Sequence, residues 1–196
     1  YQKQLAWTWE HMALTQARPI TGDPSFQKQV TECIRGILTQ KRYSTKVAKD
    51  VLEMRKRIRK THSGDHDWSL KHRKGGIIDI EFITQYLVLT HAHKHTKLLN
   101  IGTLPTLKIL KKINLISQKD GETLIKSYEL WLSLWSILSL TIAKKLTNSK
   151  IIEIPENLKG NLAKIGKVPS FKALEYKMTT TSSQVSKIYK KLIKPY

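Results

Sequence analysis

The sequence predicts an all-α protein, a helical bundle of about seven or eight helices. Apolar residues recur at three and four positions along almost the whole chain, and no stretch sustains an apolar/polar alternation of period two. Prolines, glycines and capping residues punctuate that pattern at helix-like intervals. With 196 residues and a hydrophobic content of 40%, the chain holds enough apolar surface for one core and a small appendage.

The first helix is expected from about Lys3 to Arg18, ending before Pro19 because proline disfavours helical geometry in its predecessor. On it Trp7, His11, Leu14 and Arg18 share a face, with Glu10 adjacent. That face reads as a solvated edge with an aromatic anchor, or as a site in which the planar fork of Arg18 clamps a phosphate or carboxylate. Asp23 caps the second helix, with Pro24 in its first turn and Phe26, Val30, Ile34 and Ile37 on one side. The third starts near Ser44, buries Val47, Val51, Met54 and Ile58, and keeps a basic outer face.

Residues 61–76 carry no period and read as an exposed loop holding Ser63, Gly64, three histidines and the Gly75-Gly76 pair. A helix apolar on nearly every side follows from Ile77 to about His93, which marks it as central. A short helix is expected over Thr103–Ile113, and Ser117 caps a long one reaching about Thr147. Leu124, Tyr128, Trp131, Trp135, Leu138 and Ile142 give the long helix a bundle seam. Beyond Asn148, Pro155, Gly160, Gly166 and Pro169 cut the chain into short pieces. Ser170 starts a further helical pattern that Thr179-Thr180-Thr181-Ser182-Ser183 interrupts, and a last amphipathic segment covers Gln184–Ile193.

The net charge of +20 favours polyanions. The excess is mostly lysine, however, and is scattered along the chain, so it reads as solvated helix faces before it reads as a nucleic-acid footprint. The lone Cys33 forms no internal disulfide, and the start of the sequence lacks the pattern of a secretory leader; a cytoplasmic protein is expected. The apolar run Leu130–Ala143 is shorter than the roughly 20 residues of a membrane crossing and contains four hydroxyl residues. The chain begins at Tyr1 rather than Met, as a piece cut from a longer polypeptide would.

Asp79 and Glu81, after the glycine pair, imitate the Asp-x-Asp/Glu strand that holds magnesium in nucleotidyltransferases. On a helix, residues two apart diverge by roughly 200°, so they do not share one ion. Asp79 then belongs to a helix first turn, where negative charge is favoured. Glu81 and Gln85 form a polar stripe on an apolar helix, read as a buried network or a site wall. His62, His66 and His72, around Asp65 and Asp67, and the set His91, His93 and His95 lack the spacing of a compact zinc site. They read as loop histidines, and no metal ligand is assigned.

The runs Ala6-Trp7-Thr8-Trp9-Glu10-His11-Met12-Ala13-Leu14-Thr15-Gln16-Ala17-Arg18, Gly22-Asp23, Glu53-Met54-Arg55, Gly75-Gly76-Ile77-Ile78-Asp79-Ile80-Glu81-Phe82 and Gln85-Tyr86-Leu87-Val88-Leu89 together resemble one family. It is the bacterial bifunctional glutamine synthetase adenylyltransferase/deadenylase, and the Asp79 variant is similar to its carboxyl-terminal, adenylylating half. The resemblance covers roughly residues 1–146; Met12, where the family usually has Gln, and the lysine-rich tail depart from it. It implies transfer of AMP from ATP to a tyrosine of glutamine synthetase, with magnesium and ATP bound mainly by a preceding nucleotidyltransferase domain. Residues 1–147 would be the helical domain following that one, and 148–196 a helical extension packing on it. Glu10, His11, Arg18, Lys74, Asp79, Glu81 and Gln85 would line the rim of the nucleotide or substrate site. No catalytic residue is expected within these 196. Implied partners are glutamine synthetase, the PII signal protein and the preceding domain; from composition no membrane partner is expected, and a lysine-rich nucleic-acid-binding module and a purely regulatory PII-binding module are the alternative readings.

Overall fold

A computed structural model of the chain describes residues 1, 5–62, 67–99, 101–148 and 154–195, and the side chains of 142–148 lie outside that description. The described residues form eight α-helices and no strand. The helices are α1 (Thr8–Leu14), α2 (Pro24–Leu38), α3 (Ser44–Thr61), α4 (Ile77–His91), α5 (Thr103–Lys112), α6 (Gln118–Asn148), α7 (Glu156–Ile165) and α8 (Phe171–Leu192), with one 3-10 turn at Thr96–Leu98. Contacts cluster into two compact units. The first holds Tyr1–Arg57, Glu81–Gly121 and Leu192–Tyr196; the second holds Ile58–Ile80 and Glu122–Lys191. The expected boundary at 147/148 falls where side chains, and from 149 the backbone, lie outside the described residues.

In the first unit α1 is far shorter than the periodicity suggests. Trp7 is extended (φ −78°, ψ 154°), and its amide donates to Glu10 Oε2 at 2.7 Å, half of a capping box. The helix closes at Thr15, whose hydroxyl turns back to the Met12 carbonyl at 2.7 Å. Arg18 is therefore exposed and outside α1, and it shares no helical face with Trp7 and His11. Met12, the residue that departs from the family pattern, is 4% exposed and belongs to the core. In α2, Asp23 caps as expected, accepting from the Ser25 and Phe26 amides. Ile34 and Ile37 are buried, whereas Phe26, in the first turn of α2, is 61% exposed. On α3, Val47 and Val51 are buried while Met54 is only half-buried, and Arg55 continues the buried stripe one turn further.

α4 is the central helix that its composition predicts. Ile77, Ile78, Ile80, Ile83, Leu87, Val88 and Leu89 are all buried, each side chain contributing on the order of 1.5–3 kcal/mol. Only Glu81, Gln85 and His91 are half-buried along it. His91 lies in the last turn rather than in a loop, with Nδ1 3.1 Å from the Leu87 carbonyl. Burial, ahead of its other influences, pushes this imidazole below the usual histidine range.

α6 begins as expected, Ser117 Oγ accepting the Asp120 amide at 3.1 Å, and from Glu122 onward the helix belongs to the second unit. Its seam is Leu124, Tyr128, Trp131, Leu134 and Leu138. Trp135, expected in that seam, is 40% exposed, and Leu134 takes the buried place; Ile142 lies outside the described side chains. The expected interruption at residues 179–183 does not occur. α8 runs unbroken through the Thr/Ser stretch, and Thr181 and Ser182 are buried there. Tertiary packing overrides the low intrinsic helix preference of those residues, because their small size lets another segment approach closely. No described helix is long and apolar enough to cross a membrane.

Candidate functional site

The segment that approaches α8 is the turn before α4. Within the span read as an exposed loop, residues 63–66 lie outside the described residues, and Trp68, Leu70, Gly75 and Gly76 are buried. Trp68 is 7% exposed and Leu70 1% exposed, and the Trp68 ring stacks on Phe171 at 5.3 Å. The carbonyls of Leu70 and Lys71 accept the amides of Ile77 and Ile78 at 3.0 and 3.2 Å. The start of α4 is thus satisfied by its own leading turn. Gly75 has φ +73°, and a Cβ placed on it would lie 2.1 Å from the Ser182 carbonyl oxygen. Only glycine fits both the left-handed backbone and that proximity.

Three side chains fix this turn. The Asp79 carboxylate, 0% exposed as a residue, accepts the Gly75 amide at 2.6 Å and lies 3.6 Å from the Arg59 guanidinium. Trp131 is 0% exposed, and its Nε1–H donates to the Gly75 carbonyl at 3.1 Å. The Arg73 guanidinium lies 5.4 Å from the centre of the Trp131 ring, donates to the Asp67 carbonyl and is 3.7 Å from the Asp67 carboxylate. Trp131→Phe leaves the Gly75 carbonyl without its donor. It is expected to cost about 2 kcal/mol in a urea denaturation of the chain, and an unchanged midpoint would remove this bond from the account.

Lys74, between Arg73 and the glycines, opens onto a cavity of about 500 Å³ lined by Asp67, Arg73, Lys74, Ser182, Ser183, Ser186, Lys187 and Lys190. Four cations and one carboxylate give its described wall a strongly positive balance. The α8 members recur at three and four positions, and the sequence reading missed them because it broke the helix at 179–183. The signal was present: Ser182, Ser186 and Lys190 lie one turn apart once the helix is taken as continuous.

The remaining expected site residues lie in the first unit. Glu10 accepts the Trp7 amide and, at 2.6 Å, the Tyr1 hydroxyl; that hydroxyl first, then the amide, holds its carboxyl below the usual range. His11 is half-buried on α1. Near it in sequence, a smaller cavity of about 160 Å³ is lined by Trp7, Thr8, Trp9, Asp50, Glu53, Met54 and Arg57, and the Thr8 hydroxyl donates to Asp50. Glu81 and Gln85 are half-buried, one turn apart on α4. Asp79 sits in the interior rather than at a rim, and its carboxylate is committed to Gly75 and Arg59, so the Asp79/Glu81 pair does not fit a magnesium ion. His62 and His72 stack on each other at 3.9 Å. Among the described residues no three His, Cys, Asp or Glu side chains are grouped to hold a metal. Asp65 and His66 lie outside them.

At the level of class, residues 45–193 match the family model described as GlnD PII-uridylyltransferase, which places these helices with those of nucleotidyl-transfer enzymes. Similarity to individual proteins extends further. The chain is 37% identical over 193 residues to a bifunctional glutamine synthetase adenylyltransferase/adenylyl-removing enzyme of Rhodopseudomonas palustris. It is 36% identical over 194 residues to the enzyme of that name from a Bradyrhizobium species, and 33% identical over 193 residues to that from Xanthobacter autotrophicus. Each match covers 98% of this chain and 19% of the relative. The chain belongs to the glutamine synthetase adenylyltransferase family. The likeness also runs past residue 146 through the lysine-rich tail, where the sequence motifs stop.

Proposed function

We propose that this chain is an accessory helical part of an enzyme that transfers AMP from ATP to a tyrosine of glutamine synthetase, within its adenylylating half. The observation that carries the reading is the similarity along 98% of the chain to enzymes bearing that name. Because the chain spans 19% of their length, the chemistry is assigned to the larger protein. ATP and magnesium are bound mainly by a nucleotidyltransferase domain ahead of these residues, in the cytoplasm. Glutamine synthetase and the PII signal protein are its partners.

Within that reading Glu10, His11, Arg18, Lys74, Glu81 and Gln85 border the nucleotide or substrate, while Asp79 positions the turn that carries Lys74. Residues 1–147 form the helical domain and 148–196 its extension. Arg18 suits a phosphate or carboxylate because its exposed guanidinium is a planar donor fork. The half-buried Glu81 and Gln85 place an acceptor and an amide on one edge of an otherwise apolar helix.

The 196-residue chain alone is expected to give no AMP transfer with ATP, magnesium and glutamine synthetase, and turnover above background would end the accessory reading. In the full-length enzyme, Arg18→Ala or Glu81→Gln is expected to lower the rate by about tenfold or more. An unchanged rate in a folded variant would take that residue out of the site. Retention of PII on the immobilised chain, with no effect of either substitution on transfer, would favour a purely regulatory module.

A further inference from the structure

AMP transfer gives Lys74 a place at the rim but gives the rest of its cavity no role. We propose that this cavity is a binding site for a compact multivalent phosphate anion, a di- or triphosphate group. Lysines on a convex helix face spread into water at little cost. Here Lys74, Lys187 and Lys190 instead surround a concave volume of about 500 Å³ together with Arg73, and a cleft lined by one sign of charge focuses its field on whatever enters. The one acid of the described wall, Asp67, is already placed against Arg73 at 3.7 Å. Among the described residues, Lys74, Lys187 and Lys190 carry no ion pair.

The donor set matches phosphate. Ser183 and Ser186 share the α8 face with Lys187 and Lys190, so hydroxyl donors stand beside ammonium groups on one wall. Lys187 and Lys190 are separated by about 4.5 Å of helix rise, a spacing suited to successive phosphates rather than to a single one. The volume lies within the 300–1,000 Å³ of small-ligand sites and exceeds what one tetrahedral oxyanion fills. The wall is also preformed. Gly75 lies directly against the Ser182 backbone, Trp131 holds the Gly75 carbonyl and the Arg73 guanidinium is held over Trp131, so the ordering cost of binding falls on the lysine side chains and not on the backbone.

The site belongs to the second unit alone and does not depend on the AMP-transfer reading, whose test is turnover by the full-length enzyme. Calorimetric titration of the 196-residue chain with pyrophosphate, tripolyphosphate and ATP, at about 150 mM salt to screen diffuse attraction, tests it directly. Saturable one-site binding of pyrophosphate or tripolyphosphate is expected. The Lys187→Gln/Lys190→Gln variant should weaken it by about tenfold or more. A Lys46→Gln/Lys172→Gln variant, which removes the same charge elsewhere, should stay within about twofold of the parent, given the screening. ATP binding tighter than tripolyphosphate assigns the phosphates to a nucleotide; ATP binding no tighter assigns them to a free phosphate chain. Absence of saturation, equal losses in the two double variants, or citrate binding as tight as pyrophosphate would each overturn the proposal. Circular dichroism melts of both variants check that the fold is intact.

Discussion

Gly75→Ala is expected to destabilise the chain by about 2–5 kcal/mol, the sum of a left-handed backbone penalty and an overpacking term. The backbone term follows from φ +73°. The packing term follows from a methyl that would stand 2.1 Å from the Ser182 carbonyl oxygen and 2.7 Å from its carbon. Those atoms belong to the backbone of α8, so no side-chain rotation relieves the clash. Gly102 supplies the comparison within the same chain: its φ is +79°, yet nothing lies within 4 Å of the added methyl. Gly102→Ala is therefore expected to cost only about 1–2 kcal/mol. Urea denaturation of both variants separates strain from contact, and equal losses would mean that α8 does not press on the turn.

Asp79→Ala is expected to cost about 2–3 kcal/mol, mainly the loss of a charge-assisted hydrogen bond in a buried place. The Gly75 amide at 2.6 Å would lose its acceptor. Arg59 adds little, since at 3.6 Å with its side chain 41% exposed it remains largely solvated. Asp79→Asn keeps an acceptor oxygen but not the charge, so about half the loss is expected. Arg59→Gln should fall under 1 kcal/mol, the usual size of an exposed ion pair. If Arg59→Gln matched Asp79→Ala in a denaturation series, the ion pair rather than the hydrogen bond would hold the turn.

Both expectations rest on residues that stood out in the sequence for another reason. Gly75, Gly76, Asp79 and Glu81 first imitate a metal-binding strand, and helix geometry alone removes that reading. Periodicity also made α4 legible as a central helix, because an apolar residue on every face requires burial on every face. Ser117 and Asp23 were legible as caps because capping is local chemistry between near neighbours. The first helix was overextended for a related reason. Amphipathic spacing continues to Arg18, but Glu10 and Thr15 fix the ends of α1 through particular hydrogen bonds that a periodicity does not contain.

The cavity residues on α8 illustrate the opposite limit. Thr179 to Ser183 have low helix preference, and residue preference alone gives no reason to continue through them, although the three-and-four spacing does. The reason is distant: the Gly75 turn needs a slim helix face to rest on, and the burial gained there outweighs the preference lost. Arg55 and Trp131 share this character, the first a cation on a buried stripe, the second a seam residue whose indole N–H finds its acceptor 56 residues away.

The sequence by itself determined the helical class, the central place of α4, the main caps and, through its motifs, the family. These follow from periodicity, from contacts between near neighbours and from residue identity, all of which are written along the chain. Only the tertiary structure decided that the turn before α4 is anchored, that Asp79 faces inward to hold it, and that Lys74 meets Lys187 and Lys190 around one cavity. Those facts depend on which segments touch, and contact between segments far apart in sequence is set by packing and burial rather than by any local pattern.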